Sequence, residues 1–260
     1  MRRQWLISLL SAGALLLGAG VSRAQFTDCM SGLLQMPTAD FREAGTGMIT
    51  VNGLNPHTNS TRWDYYTFNY GVGIAFFNRL EVAYVCTHMS GESIRKIGGE
   101  KIAVSLFNQD RHFAAKVQLL KEEEFGWKWL PALALGVSDP TTASGGGYET
   151  GVGTSGNGFF NRYYAVLSKH FTTPWGTVGA HAGYLYNQRK DYPLNGPCAG
   201  AEWRPVWLQT PWLDLNLIAE YDARTFNLGF TATLWDHVGL MLDLQALRWV
   251  SCGIRYTFLM

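Results

Sequence analysis

Six histidines and four cysteines are the side chains of this 260-residue chain that could most readily ligate a metal or move a proton. Their spacing argues against both roles. Cys29, Cys86, Cys198 and Cys252 lie far apart, with no C-x-x-C pair and no Cys/His cluster of metal-site spacing. They read as small apolar strand residues rather than as a dense disulfide scaffold. No G-x-S-x-G or H-E-x-x-H stretch presents a nucleophile or a zinc-binding pair. His57, His88 and His237 fall in loops, rims or turns, while His181 and Ser168 face one interior. A histidine and a hydroxyl without a third orienting group are more often a hydrogen-bonded wall pair than a catalytic base. Gly145-Gly146-Gly147 and Gly151-x-Gly153 lack the strand-to-helix setting of a phosphate loop. The chain therefore reads as non-enzymatic, with no catalytic residue, no metal and no cofactor.

A second set of reactive groups is more ordered. Glu81, Lys116, Glu202, Arg204, Asp214, Glu220, Asp222, Asp243 and Arg255 occur where residues alternate between apolar and polar. Unpaired buried charges are costly, so most of these should pair with one another across a shared interior.

The elements that would hold them are strands. Leu213, Leu215, Leu217, Ala219 and Tyr221 alternate with Asp214, Asn216, Ile218 and Glu220. The same period of two runs through Thr225–Leu234, Val238–Ala246 and Val250–Phe258, which marks half-apolar strands. Weaker versions are expected at Gly47–Gly53, Asp64–Tyr70, Arg79–His88, His112–Leu120, Trp129–Ser138, Tyr163–His170, Thr177–Asn187 and Cys198–Arg204. Twelve strands result, within a range of 10–14. Met89–Arg111, Asp139–Arg162 and Gln188–Pro197 are expected as long loops.

Alternation alone fits a soluble sandwich as well as a membrane barrel. Strands near ten residues, a polar face rich in Gly, Thr and Asn, and aromatics near strand ends (Trp212, Tyr221, Trp235, Trp249, Phe258) favour the membrane. The fold expected is all-β: a transmembrane antiparallel up-and-down β-barrel over residues 47–260.

Residues 1–24 read as a signal peptide. Arg2 and Arg3 precede an apolar run, and Ser22-Arg23-Ala24 has the small-x-small form of a cleavage site. Cleavage would remove Arg2, Arg3 and Arg23 from 21 basic residues, leaving 18 against 20 acidic and a net charge of −2. That charge offers no basic field for nucleic acid. Residues 25–46 would be a periplasmic or lumen-entering segment.

The terminus, Ser251-Cys252-Gly253-Ile254-Arg255-Tyr256-Thr257-Phe258, resembles the signal read by the outer-membrane barrel-assembly machinery, with Gly253, Tyr256 and Phe258 as its defining positions. Leu259 and Met260 extend beyond the usual terminal aromatic. Gly32-Leu33-Leu34-Gln35-Met36-Pro37-Thr38-Ala39-Asp40 followed by Gly45-Thr46-Gly47 resembles the opening of the YjbH-type family of exopolysaccharide outer-membrane proteins. Asn108-Gln109-Asp110-Arg111, Pro131–Gly136 with Asp139-Pro140, Gly200–Pro205, and Ala219–Asp222 with Asn227 and Gly229 extend the likeness along the chain.

The resemblance implies a non-enzymatic barrel of a Gram-negative outer membrane, engaged in exopolysaccharide or capsule export or assembly. Its partners would be outer-membrane lipid, the barrel-assembly machinery, polysaccharide and envelope export proteins. A structural or small-solute, porin-like barrel and a barrel-borne enzyme are the alternatives.

Overall fold

A computed structural model describes residues 27–58, 66–97, 99–140, 160–187 and 195–260. The signal peptide and cleavage site expected at 1–24, and most of the loops expected at 139–162 and 188–197, lie outside these residues.

Twelve antiparallel strands follow in chain order: β1 Thr46–Leu54, β2 Tyr66–Phe76, β3 Leu80–Ile97, β4 Glu100–Leu120, β5 Ala132–Ser138 and β6 Arg162–Thr173. The second half comprises β7 Gly176–Tyr186, β8 Gly196–Pro205, β9 Leu213–Tyr221, β10 Phe226–Leu234, β11 Val238–Gln245 and β12 Trp249–Leu259. Each pairs with its sequence neighbours, and β12 pairs with β1 to close the barrel. Closure leaves no open sheet edge, the condition for a sheet to stand in lipid.

The two faces separate cleanly. On β9, Asn216, Ile218 and Glu220 are buried while Leu217 and Ala219 are exposed. On β12, Ser251, Gly253 and Arg255 point inward, and Val250, Ile254 and Tyr256 lie on the outside. The exterior thus carries a belt of Ile, Leu, Val and aromatic side chains, including Ile49, Val72, Phe113, Leu135, Leu167, Leu228 and Ile254. Such a belt suits hydrocarbon, whereas soluble monomers rarely expose large continuous apolar patches.

Large aromatics mark one rim. Phe77, Trp127, Trp129, Trp175, Trp207, Trp212 and Trp235 are exposed, and all lie in or beside the connections that follow even-numbered strands. A ring of tryptophans at one level is the arrangement of a membrane–water interface.

One expectation needs correction. Met89–Arg111 is not a loop: β3 and β4 continue through it as a single long ladder, with Met89 opposite Asn108 and Ile97 opposite Glu100. The strands have 18 and 21 residues, about twice what a tilted crossing needs. Other boundaries move by a few residues; β2 runs on to Phe76 and β5 starts at Ala132.

Candidate functional site

The lumen is occupied by the chain's own N-terminal segment. Residues 27–39 are buried throughout, and the segment leaves at Asp40–Gly45 to enter β1. A tight turn organises it: Leu33 N–H donates to the Met36 carbonyl at 2.8 Å, and Gly32 bridges Pro37. Leu33, Leu34 and Met36 pack against wall residues Ala134, Val166, Leu185, Ile218 and Met241 in one apolar cluster.

The wall is shaped to receive it. A Cβ on Gly73 would lie 2.2 Å from the Cys29 carbonyl oxygen, and one on Gly200 would lie 2.3 Å from Leu33 Cδ1. Both strands can approach the plug only because these positions carry no side chain.

Four of the nine charges named from the sequence, Glu81, Lys116, Glu220 and Asp243, answer the plug. Glu220 accepts backbone N–H bonds from Leu34, Gln35 and Met36 at 3.0, 2.7 and 3.2 Å. Glu81 accepts from the Ser31 N–H at 2.7 Å, the Ser31 hydroxyl and the Arg42 N–H at 3.0 Å. Lys116 Nζ donates to the carbonyls of Ser31, Thr38 and Asp40 at 2.8, 3.1 and 2.7 Å, and lies 3.5 Å from Glu81. Asp243 accepts from Gln35 Nε2 at 2.9 Å, and Arg162 Nη1 donates to the Gln35 carbonyl at 2.9 Å. A plug with buried peptide groups needs such partners, since an unmet buried donor or acceptor is expensive.

Pairing between wall charges holds for Lys116 with Glu81 and for Arg204 with Asp214, a two-pronged contact between β8 and β9. Asp222 is buried just beyond the end of β9. Its carboxylate accepts the Arg224 and Thr225 N–H groups at 3.0 and 2.8 Å and so shapes the β9–β10 turn. Arg255 is fully buried, and Gly239 leaves room for its guanidinium. Tyr256 faces outward on β12, and the Phe258 ring lies over Gly47 on the closure seam. Gly253 sits inward opposite Asn52. The four cysteines are unpaired; Cys29 belongs to the plug, and Cys198 lines the wall cluster.

At the tryptophan rim a cavity of about 470 Å³ is lined by Asp40, Phe41, Arg42, Glu43, Asn78, Gln118, Lys121, Glu122 and Ala132. The rim connections are tied together by Arg79 and Glu124. The Lys121 N–H, with the Arg79 guanidinium, holds the Glu124 carboxyl below its ordinary value.

Next to this cavity the structure gathers Asp40, His170, His181 and Glu202, whose ligand-type atoms all lie within 4.8 Å of one another. His181 Nδ1 and Ser168 Oγ are 2.8 Å apart, the pair the alternation placed on one face. Glu202 is among the charges named from the alternation, whereas Asp40 and His170 carry no local sequence signal, because one comes from the end of the plug and the other from β6.

Comparison with known proteins bears on the plug directly. The YjbH family model, described as "Exopolysaccharide biosynthesis protein YbjH", matches residues 27–199, a range that includes residues 27–39 of the plug. The chain belongs to this family. The motif Gly32–Asp40 that carried the resemblance is the plug itself in this YjbH-family chain. Gly200 and Glu220 of the later motifs are the places where the wall receives it.

No curated protein matches the chain. Among solved structures it is similar to CdiB from Escherichia coli at 11% identity and a TM-score of 0.36, over 84% of this chain and 64% of that one. OprB of Pseudomonas putida gives 10% and 0.33, over 82% of this chain and 91% of that one. The β domain of the Bordetella autotransporter BrkA gives 12% and 0.30, over 83% and 100%. The chain thus spans under two thirds of CdiB.

Proposed function

We propose that this YjbH-family barrel is a non-enzymatic component of exopolysaccharide or capsule export or assembly in the outer membrane of a Gram-negative bacterium. The observation that carries the reading is the plug: the family's own motif fills the lumen and is held by Glu81, Lys116 and Glu220. A constitutive small-solute pore needs a continuous wet lumen. A barrel closed by its own N-terminal segment suits a part that grips, or opens to, a partner or a glycan. The family description supplies the polysaccharide, and the fold by itself would not.

Deletion of the gene, with surface polysaccharide measured and single-channel conductance recorded on the purified protein, tests the proposal. Loss of surface polysaccharide, with no steady current through the unmodified protein, is expected. Unchanged polysaccharide together with a steady ionic current would replace it with a small-solute barrel. Turnover of purified polysaccharide by the protein alone would make it an enzyme.

A further inference from the structure

We propose that Asp40, His170, His181 and Glu202 form a divalent-cation site, with Zn²⁺ the ion that suits them, and that the bound ion pins the plug to the barrel wall. The inference is independent of any role in polysaccharide export.

Three of the four residues come from neighbouring strands in register. His170 on β6 is opposite Gly179 on β7, which is opposite Glu202 on β8, and His181 lies two residues along β7. Asp40 comes from the plug. A Cβ on Gly179 would lie 2.6 Å from Glu202 Cγ, 2.8 Å from its Oε1 and 2.9 Å from His170 Cδ2. The glycine therefore lets the imidazole and the carboxylate meet across the intervening strand.

Each candidate ligand has its other polar atom fixed. Glu122 Oε2 lies 2.7 Å from His170 Nδ1, and Ser168 Oγ lies 2.8 Å from His181 Nδ1. Asn216 Nδ2 donates to Glu202 Oε2 at 2.6 Å, and the Thr38 hydroxyl donates to Asp40 Oδ2 at 2.8 Å. Outer partners of this kind, above all a carboxylate behind an imidazole, orient metal ligands.

The remaining atoms converge. His170 Nε2 is 3.3 Å from Glu202 Oε1 and 3.7 Å from Asp40 Oδ1, and His181 Nε2 is 3.8 Å from Glu202 Oε1. Four ligands about 2.0–2.1 Å from a tetrahedral ion would be roughly 3.3–3.4 Å apart, so only small movements are needed. His181 is wholly buried as a side chain, and its Nε2 makes no hydrogen bond.

With its Nδ1 proton given to Glu122, a neutral His170 would turn its Nε2 lone pair toward two carboxylate oxygens. A cation placed between that lone pair and the carboxylate oxygens would draw them together. Two imidazoles with two carboxylates form a mixed N/O set suited to Zn²⁺ rather than to Ca²⁺ or Mg²⁺, which take oxygen ligands. The rim cavity, with Asp40 and Glu122 in its wall, gives the ion a way in.

The rival is an imidazolium at His170, a proton in place of the ion. Full-length barrel refolded in detergent, stripped with a chelator and then loaded with Zn²⁺ alone, distinguishes them by metal content and by competition with a fluorescent zinc indicator. One tightly held equivalent is expected, together with slower proteolysis of the plug. Glu122→Gln should weaken binding roughly 10- to 100-fold, as loss of an outer-shell partner does. His237→Ala, in the β10–β11 turn, should leave binding unchanged. His170→Ala should abolish it in protein that still shows heat-modifiable migration. Absence of stoichiometric zinc from the unmodified, folded barrel would overturn the proposal in favour of the imidazolium. Zinc retained equally by the unmodified protein and His170→Ala would overturn it as well.

Discussion

Glu220→Ala should release the plug. Its carboxylate is the sole side chain receiving the N–H groups of Leu34, Gln35 and Met36 among the bonds described above, and all three donors are buried. Leaving a buried donor unmet costs about 1–3 kcal/mol, so three cost roughly 3–9 kcal/mol. The compensating hold is the burial of Leu33, Leu34 and Met36, each no more than 1% exposed. Fully burying such side chains contributes about 1.5–3 kcal/mol apiece, roughly 5–9 kcal/mol together. The two quantities are of the same size, so the variant should exchange between seated and released plugs. Cys29 reports this, because it lies in the plug and is wholly buried. In a background with Cys86, Cys198 and Cys252 replaced, maleimide should modify Cys29 slowly in the parent and many-fold faster in Glu220→Ala. Asp243→Asn, which disturbs only the Gln35 side-chain bond, should stay near the parent rate. Equal labelling of the parent and Glu220→Ala, with both barrels folded, would refute the view that Glu220 holds the plug through those three donors.

Three further outcomes are expected. Leu228→Arg, on the outer face of β10, should lower stability in lipid vesicles by about 2–4 kcal/mol, whereas Leu247→Arg in the β11–β12 turn should cost about 0–1 kcal/mol. Equal urea midpoints would mean that the outer face does not meet hydrocarbon. Phe258→Ala should reduce assembled barrel, scored by heat-modifiable migration of the outer-membrane fraction, since it removes the terminal aromatic beside the closure seam. Full yield would separate that residue from assembly. Removing bound metal by chelation should speed Cys29 labelling in the parent, and zinc should reverse it. A rate indifferent to both would detach the cation from the plug.

How far the sequence revealed this architecture follows from where each residue meets solvent or lipid. β9 to β12 are legible because an apolar exterior and a polar interior impose period two on every residue. The 89–111 stretch is not, because strands of 18 and 21 residues outrun the membrane. Beyond it no lipid demands an apolar face, and Ser90-Gly91-Glu92 and Asn108-Gln109-Asp110-Arg111 carry no alternation. Of the charges named from the alternation, Glu81, Lys116, Glu202, Glu220, Asp222, Asp243 and Arg255 are buried. Lys116 pairs with Glu81 and Arg204 with Asp214, but pairing alone presumes an empty barrel: the plug brings its own peptide donors and carbonyls, and Glu81, Lys116, Glu220 and Asp243 answer those.

The same logic explains why residues 25–46 could be read from the sequence only as a periplasmic or lumen-entering segment. The partners of the motif Gly32–Asp40 on the wall are distant in sequence: Glu220 lies 184 to 186 residues away, Ser168 129 residues away, and even Lys116 76 to 78 residues away. Contacts of such separation form only after the intervening chain has been ordered, since loop closure must be met before they contribute. The socket draws on β2, β3, β4, β6, β8, β9 and β11, so it is incomplete until the eleventh strand is in place. The plug is joined directly to β1, the strand that β12 must find to close the barrel. Seating the plug and closing the seam are therefore coupled: Gly45 accepts the Met260 N–H at 2.9 Å where the plug ends, and Arg42 reaches Thr257 on β12. A change that loosens the plug should loosen the β1–β12 seam before any other pair. Hydrogen exchange of Ile49 and Val51 in Glu220→Ala, compared with that of Leu228 and Phe230 on β10, would measure it. Equal protection of the two strand pairs would show that plug and seam are independent.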